Sequence, residues 1–452
     1  MAATSDFSQG KVWRRIMAQA IPLTLAEIVH LLYNVVDRIY IGHLSSADSM
    51  ALTGVGLIFP IVSLVNAFTS LFGTGGAPLF AIARGAKDED KASRIQSNVF
   101  VLLLCTSLVL TALSYLFKRP VLYLFGASNA SYPYADAYLT IYLLGTPFTM
   151  LATGMNGFIN AQGFPRIGML TTMLGAVLNL ALDPLFIFVF HMGVRGAAIA
   201  TVISQFISCL WVLRFLTGKK ALISLRREHM RVEKKLLQKI LSLGVVGFIM
   251  KGTNSLVQIV CNTTLQSYGG DLYVGVMTVV NSVREILFLP VSGLTSGGQP
   301  VISFNYGAKK YGRVRQGIRF MTVACTAYTT GSWLAVLIFP RFFVRIFSSD
   351  AALLAAGPTA LNLYFFGFFF MAFQASGQSA FQALGDARHA ITFSLFRKVI
   401  IVVPLTLLLP RLGFGVDGVF LAEPISNLLG GLACYITMML TVYKQMGRLQ
   451  EA

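Results

Sequence analysis

The chain has 452 residues, of which 55% are hydrophobic and only 12% are charged, and its mean hydropathy is +0.70. A soluble protein carries about 25% charged residues, so this chain lacks the polar residues that a water-exposed surface needs. The composition excludes a soluble enzyme, a disulfide-rich secreted domain and a disordered chain. We predict an integral membrane protein, and the net charge of +18 then reflects Lys and Arg in cytoplasmic loops rather than nucleic-acid binding.

Apolar stretches long enough to cross a bilayer recur along the whole chain, and they predict an all-α membrane protein with twelve transmembrane helices. In chain order they cover residues 14–41, 53–83, 95–117, 134–160, 168–190, 196–216, 240–266, 273–303, 317–339, 357–383, 390–410 and 418–440. The even number places both termini on one side. That side holds 27 Lys and Arg residues and the other side six, while Arg38, Lys251 and Arg284 lie within the stretches. This bias predicts a multi-pass protein of the inner (plasma) membrane with cytoplasmic termini.

The two halves of the sequence align at a constant offset of 222 residues. Gly75-Gly76 and Pro78 recur as Gly297-Gly298 and Pro300, and Gly85-Ala86-Lys87 recurs as Gly307-Ala308-Lys309. Each half holds six predicted spans, so both halves share one topology and are related by a pseudo-twofold axis along the membrane normal. We expect an N-terminal lobe at 1–217, a basic cytoplasmic linker at 218–239 and a C-terminal lobe at 240–452. Two six-helix bundles facing a central cleft are typical of a transporter.

Polar side chains lie within the apolar stretches of the first half, where lipid would penalise them. Glu27, His30, Asn34 and Asp37 follow one another at steps of three or four, so they share one stripe of the first helix. Pro22 in the same span permits a bend. The other polar positions considered are Asn156, Asn160, Asn179, Asp183 and Thr201. Two carboxylates among amide and hydroxyl oxygens suit a hard cation or a shared proton.

The second half is rich in amides instead of acids. Candidates to line a substrate cavity there are Asn254, Gln258, Gln378 and Glu285, beside Glu27, His30, Asn34, Asn156 and Asn160 in the first half. Amide rows also form hydrogen bonds between membrane helices, and that structural role stays open for them. Whether Glu285 and Glu423 form a second site is likewise left open by the sequence.

Five runs of residues resemble the multidrug and toxic compound extrusion (MATE) family. They are LYNVVDRIYIGHL (32–44), NAQGFPR (160–166), NLALDPLFIF (179–188), GVRGAAIATVISQ (193–205) and GLTSGGQPVISFNYGAKK (293–310). The resemblance covers almost the whole chain and implies two six-helix lobes. It implies a cation site in the N-terminal lobe at Asp37, Asn179, Asp183 and Thr201, and a helix hinge at Pro22. Essential acids of some family branches are replaced here by Lys251 and glutamines, which argues against a second cation site.

We therefore expect a secondary antiporter that exports small organic, cationic compounds in exchange for inward Na⁺ or H⁺. The sequence does not distinguish the two ions. The alternative is a flippase for lipid-linked oligosaccharides with a related two-lobed fold, which would need a more basic cavity than Lys251 and Arg284 provide. No enzyme activity, cofactor, ATP use or nucleic-acid partner is expected, because no metal-hydrolase or phosphate-binding motif occurs. We expect a monomer in the lipid bilayer.

Overall fold

The computed structural model describes residues 6–42, 54–125 and 127–451, with the side chains at positions 34, 37–42 and 451 outside the described part. Within these ranges the chain is helical and has no strand. The α-helices are α1 Val12–Gly42, α2 Phe59–Gly85, α3 Glu89–Leu124, α4 Tyr132–Ala161, α5 Pro165–Pro184, α6 Gly193–Leu216, α7 Lys234–Gly307, α8 Tyr311–Ile338, α9 Pro340–Phe347, α10 Ala351–Phe365, α11 Phe370–Ala383, α12 Ala387–Leu395, α13 Val403–Leu409, α14 Gly415–Met438 and α15 Lys444–Glu451. Short π-helical segments follow α5, α12, α13 and α14, at Leu185–Val189, Phe396–Val402, Pro410–Phe414 and Met439–Tyr443.

Within the described residues, each of the twelve predicted spans falls on one of these helices, on part of one, or on consecutive helical segments. The spans 240–266 and 273–303 are the two arms of α7, which is interrupted at Gly270 with a φ of 65°. Among the described residues, eight helical stretches are long and apolar enough to cross a membrane, and the bent pair α10–α11 makes a ninth. Two of the eight are 74 and 64 residues long, which exceeds the roughly 20 residues of one crossing. The helices are therefore consistent with twelve crossings.

The internal repeat is present in the backbone as well as in the sequence. Lys87 and Lys309, 222 residues apart, both adopt the left-handed conformation, with φ of 60° and 56°. The glycines at 163 and 385 and at 193 and 415 are likewise paired at positive φ. The helix Gly193–Leu216 corresponds residue for residue to Gly415–Met438. Because the same offset relates the bends and the helices, the two halves follow one folding pattern.

The chain divides into two compact units, which exchange the beginnings of two helices. The first unit contains Leu25–Gly244 and the second contains Phe7–Thr24 together with the chain from Val245 onward. The lobe boundaries expected from the sequence differ from these, because the start of α1 packs in the second unit and the start of α7 in the first. Glycines permit both of these close packings, because a larger side chain would clash. A Cβ built on Gly297 would lie 2.6 Å from the backbone N of Ala20, and one built on Gly75 would lie 2.2 Å from Ile240 O.

Each unit has its own apolar interior. In the first unit, Ile58 and Leu122 pack with Tyr142 and Ile187 from four separate segments of the chain. In the second unit one cluster surrounds Phe7, Ile16 and Val301, and another is built around Phe365 and Phe420. The burial of Phe7, whose side chain has 0% exposure, shows that the segment before α1 is part of the second unit's core.

Two cations that the charge count places on the side of the termini lie within the predicted span 390–410 and inside the helical region of the structure. Arg397 and Lys398 belong to the π-helical segment Phe396–Val402, and both are buried. Counting them as loop residues is wrong, because a buried carboxylate, that of Glu423, pairs with both inside the span. The charge bias of the predicted loops becomes 25 to six and keeps its direction.

Candidate ion and substrate sites

A buried polar group of the first unit joins α5 and α6. Asn179 and Asp183 lie one turn apart near the end of α5, and Thr201 lies on α6; their exposed fractions are 2%, 1% and 5%. The Asn179 amide contacts the Thr201 hydroxyl at 3.2 Å, and the amide atom on its other side lies 2.6 Å from Asp183 Oδ2. The structure thus brings together three of the four residues predicted to bind a cation.

The short contact between Asn179 and Asp183 requires a proton from one of them. If Asp183 is charged, the amide Nδ2 donates to its Oδ2, and the amide Oδ1 accepts from the backbone N of Thr201 at 3.2 Å. If Asp183 is protonated, its O–H donates to the amide Oδ1, while Nδ2 donates to Thr201 Oγ1 and that hydroxyl donates to Ala197 O at 3.0 Å. The Asn179 amide can therefore form hydrogen bonds with either the charged or the protonated form of Asp183, by exchanging the positions of its oxygen and nitrogen.

The donor atoms of this group fit a hard cation. A carboxylate, an amide oxygen and a hydroxyl oxygen are ligands that such ions accept, and all three belong to residues shielded from solvent. The same group can instead hold a proton on Asp183. The geometry thus suits either of the two expected coupling ions.

The fourth predicted ligand, Asp37, lies on α1, but its side chain and that of Asn34 are outside the described part of the structure. Pro22 is buried inside the same 31-residue helix. Glu27 is half-buried, and His30 is exposed with its ring centroid 5.9 Å from that of Tyr33. The polar stripe of α1 thus includes positions accessible from outside the protein.

Asn156 and Asn160, the remaining candidates of the first unit, meet at one glycine. Asn156 Nδ2 donates to Gly168 O at 3.1 Å, and a Cβ built on Gly168 would lie 2.2 Å from Asn160 Oδ1. The side-chain oxygens of both asparagines are buried and have no hydrogen-bond partner among the described residues. This is a tight contact between α4 and α5, and it lies inside the unit.

The candidates of the second unit separate into exposed and buried residues. Asn254, Gln258 and Glu285 are exposed, as a residue that contacts a substrate must be. Gln378 is buried; it accepts a hydrogen bond from Gln374 at 3.0 Å and donates to Ala390 O at 3.2 Å. These bonds match the structural role of amide rows, which is to form hydrogen bonds that hold membrane helices together.

Glu423 occupies a charged cluster that sequence reasoning did not find. Lys398 Nζ donates to both of its carboxylate oxygens, at 3.1 and 3.3 Å. Arg397 Nη1 donates to Glu423 Oε1 at 3.1 Å and also to Asn427 Oδ1. All four residues are buried. A signal was present in the sequence, because Glu423 is the repeat counterpart of Thr201 and Asn427 that of Gln205, both in the polar helix α6.

Comparisons with known proteins agree with this fold and its repeat. The family pattern described as MatE matches residues 22–185 and 248–408, one block in each half. Multidrug export protein MepA of Staphylococcus haemolyticus is 27% identical over 452 residues, covering 98% of this chain and 96% of that protein. The protein of the same name from Staphylococcus aureus is 25% identical with the same coverage.

Solved structures extend the similarity to the whole fold. A crystal structure of MATE in the straight conformation covers 100% of both chains with a TM-score of 0.91 at 20% identity. One in the bent conformation gives 0.90 at 21% identity, covering 97% of this chain and 96% of that one. The MatE pattern spans well over half of the sequence, in the order and position that the repeat predicts. The chain belongs to the multidrug and toxic compound extrusion (MATE) family of membrane transporters, and it is not an enzyme.

Proposed function

We propose that this protein exports small organic cations from the cytoplasm and is driven by inward movement of Na⁺ or H⁺. The observation that carries the proposal is the buried group of Asn179, Asp183 and Thr201 in the first unit. A carboxylate with 1% exposure within a membrane helix is costly, and it is retained most readily where an ion or a proton neutralises it. The similarity along nearly the full length to proteins named multidrug export proteins supports export of drug-like compounds.

Coupling needs the ion and the drug to prefer different conformations of the transporter. A ligand with equal affinity for both conformations shifts neither of them. Neutralisation of Asp183 reverses the hydrogen bonds of the Asn179 amide, and these bonds connect α5 to α6. Ion binding would therefore change the contact between two helices of one unit. We expect Asp37, one of the two acids in the proposed site, to act with Asp183.

The test compares dye efflux from proteoliposomes under a sodium gradient and under a proton gradient, each imposed alone. Asp183→Asn should abolish efflux under whichever gradient drives the wild type, because an amide can neither bind the proton nor balance the charge of the sodium ion. Asp417→Asn is the matched control, since Asp417 is exposed at the start of α14. Wild-type efflux by Asp183→Asn would remove the buried group from the mechanism, and absence of wild-type efflux under both gradients would overturn the proposed function.

A further inference from the structure

The second unit buries more positive than negative charge. Arg397 and Lys398 share the single carboxylate of Glu423, and the side chains of all three have at most 8% exposure. Arg284 on α7 lies within electrostatic range of Glu423 and of Tyr364. Two cations therefore pair with one buried carboxylate and a third interacts with it electrostatically, an excess of two positive charges. If the exposed Glu285 beside Arg284 is counted, the excess is one.

These residues converge in one part of the unit. Val283 next to Arg284, Val402 one turn after Lys398, and Phe420 three residues before Glu423 belong to a single buried apolar cluster, which also contains Tyr364 of α10. The charged groups, on α7, the π-helical segment and α14, are therefore held by three helical segments around one apolar interior. In such surroundings the low dielectric makes an uncompensated charge expensive. The excess positive charge calls for an anion.

Several donors of the cluster have no acceptor among the described residues. Arg284 forms no ion pair with any described residue, and its Nε is buried without a hydrogen-bond partner. A guanidinium carries five N–H donors, of which Arg397 uses only those on Nη1. Planar guanidinium groups bind carboxylates in two-point contacts. Arg284 is half-buried and Glu285, the next residue, is exposed, so the cluster is approached from the side of Arg284.

The equivalent place in the first unit has the opposite character. Glu423 is the repeat counterpart of Thr201, and the positions equivalent to Arg397 and Lys398 are Gly175 and Ala176 on α5. The first unit therefore places an acid with neutral oxygen ligands where the second places built-in cations. Arg397 and Lys398 already occupy the carboxylate that an inorganic cation would need, so this cluster is unsuited to a second coupling-ion site.

We propose that the Arg284–Arg397–Lys398 cluster binds one anionic group, the carboxylate of a zwitterionic organic substrate. This inference rests on the proposed export function and assigns a place in the second unit to the negative group of a substrate that carries both charges. The carboxylate would contact Arg284 first, because no described residue accepts a hydrogen bond from this cation, and the field of Arg397 and Lys398 would add to the attraction. A free chloride ion carries the same charge as a carboxylate, and the experiment below distinguishes these two ligands.

The experiment uses two dyes that differ only in this group, a zwitterionic rhodamine with a free carboxylate and its methyl ester. Binding to the purified transporter is measured by fluorescence polarisation in isethionate buffer, with and without added chloride. We expect the wild type to bind the acid about tenfold more tightly than the ester, corresponding to about 1.4 kcal/mol. Arg284→Gln should remove this preference and Arg284→Lys should keep part of it. Arg345→Gln, an exposed arginine of α9, is the charge-matched control and should keep all of it.

Equal binding of acid and ester by the wild type would overturn the inference, as would an unchanged preference in both Arg284→Gln and Lys398→Gln. Chloride that stabilises the wild type against heating while acid and ester bind equally would also overturn it, since the site would then take a free ion. Efflux of the ester under a gradient tests the proposed function separately. If the ester is exported but the acid has no binding advantage, only the present inference fails.

Discussion

At the scale of single residues, two glycines determine how closely helices of the first unit approach. A Cβ built on Gly244 in α7 would lie 1.7 Å from Leu71 O in α2, and one built on Gly75 would lie 2.2 Å from Ile240 O. The obstacle in each case is backbone, which cannot rotate away as a side chain can. Close approach of this kind lets small residues hold membrane helices together by packing alone.

Gly244→Ala should therefore lower the melting temperature of the purified protein. Overpacking of this type costs about 1–3 kcal/mol. Gly252→Ala on the same helix is the matched control, because a Cβ there has nothing within 4 Å, and it should melt like the wild type. A Gly244→Ala protein as stable as the Gly252→Ala protein would show that α2 and α7 do not pack this closely.

The buried charges of the second unit make a second prediction at this scale. Glu423→Gln leaves Arg397 and Lys398 buried without their carboxylate, and breaking a buried pair in this way costs about 3–5 kcal/mol. The double variant Glu423→Gln with Lys398→Met removes one of the stranded cations. In thermal melts it should be more stable than the single variant. Equal melting temperatures for the two variants would mean that the ion pair with Glu423 does not offset the cost of burying the Lys398 charge.

The sequence predicted one of these polar groups and missed the other for a physical reason. Asn179 and Asp183 are one turn apart, so helical periodicity alone places them on one face, and the family resemblance adds Thr201. The pair at 397–398 lies in a π-helical segment, whose period differs from that of an α-helix. Side-chain directions there cannot be derived from a period of 3.6 residues. The acceptor, Glu423, is also 25 residues further along the chain.

At the scale of elements, α1 is a helix whose two parts belong to different units. Its residues up to Thr24 belong to the second unit and those from Leu25 to the first. Pro22 lies just before this division and, having no N–H, leaves a gap in the helical hydrogen bonds. A bend at Pro22 would redirect the part of α1 that carries Glu27, His30 and Asp37.

We expect Pro22→Ala to bind the dye normally and to export it more slowly, because a continuous helix resists bending. Pro147→Ala removes an interior proline from α4, which lies wholly in the first unit, and provides the control. Binding and efflux are measured on the same preparation of each variant. Wild-type values of both for Pro22→Ala would mean that the break is only a fixed feature of packing.

The basic linker between the two halves is anchored to the helices of the first unit, and Gln162 makes several of the contacts. Gln162, fully buried, accepts hydrogen bonds from the backbone N of Leu222 at 2.8 Å and of Ile223 at 3.2 Å, and donates to Ile223 O at 3.1 Å. Further along, His229 contacts Ser93 Oγ at 2.9 Å. A linker that composition describes only as charged and solvated is thus a docked segment.

Gln162→Ala should release this segment, since three backbone groups would lose their partner at about 1–3 kcal/mol for each buried group left unsatisfied. Trypsin cleaves after Lys and Arg, and five such residues lie between 219 and 231. Limited proteolysis should therefore cut the linker of the variant several-fold faster than that of the wild type. Gln316→Ala, at an exposed site of α8, should leave the rate unchanged. A linker equally resistant in both variants would contradict this anchoring role.

At the scale of the whole molecule, hydropathy and the repeat predicted the helices well, because lipid requires long apolar helices and each half repeats them. Which chain segments belong to each unit was harder to predict from the sequence. Which unit the starts of α1 and α7 join depends on contacts such as Gly297 with Ala20, which are 277 residues apart in sequence. Local periodicity contains no information about such partners, and the predicted lobes therefore followed the linker.

Topology is the last property that the charge distribution predicts. With Arg397 and Lys398 assigned to the buried cluster, the loops and tails hold 25 Lys and Arg on the side of the termini and six on the other. Lys and Arg near membrane helices are retained on the cytoplasmic side. Glu228, exposed in the linker, should therefore face the cytoplasm, and Asn129, exposed between α3 and α4, should face outward.

Single cysteines at these two positions test the orientation in intact cells with a membrane-impermeant maleimide. The background carries Cys105→Ser, because Cys105 is the exposed one among the five native cysteines. Asn129→Cys should react in intact cells, whereas Glu228→Cys should react only after the membrane is made permeable. The reverse pattern would invert the topology. Reaction of both positions from outside would contradict the three crossings that separate them, and with it the twelve-span arrangement on which the direction of export depends.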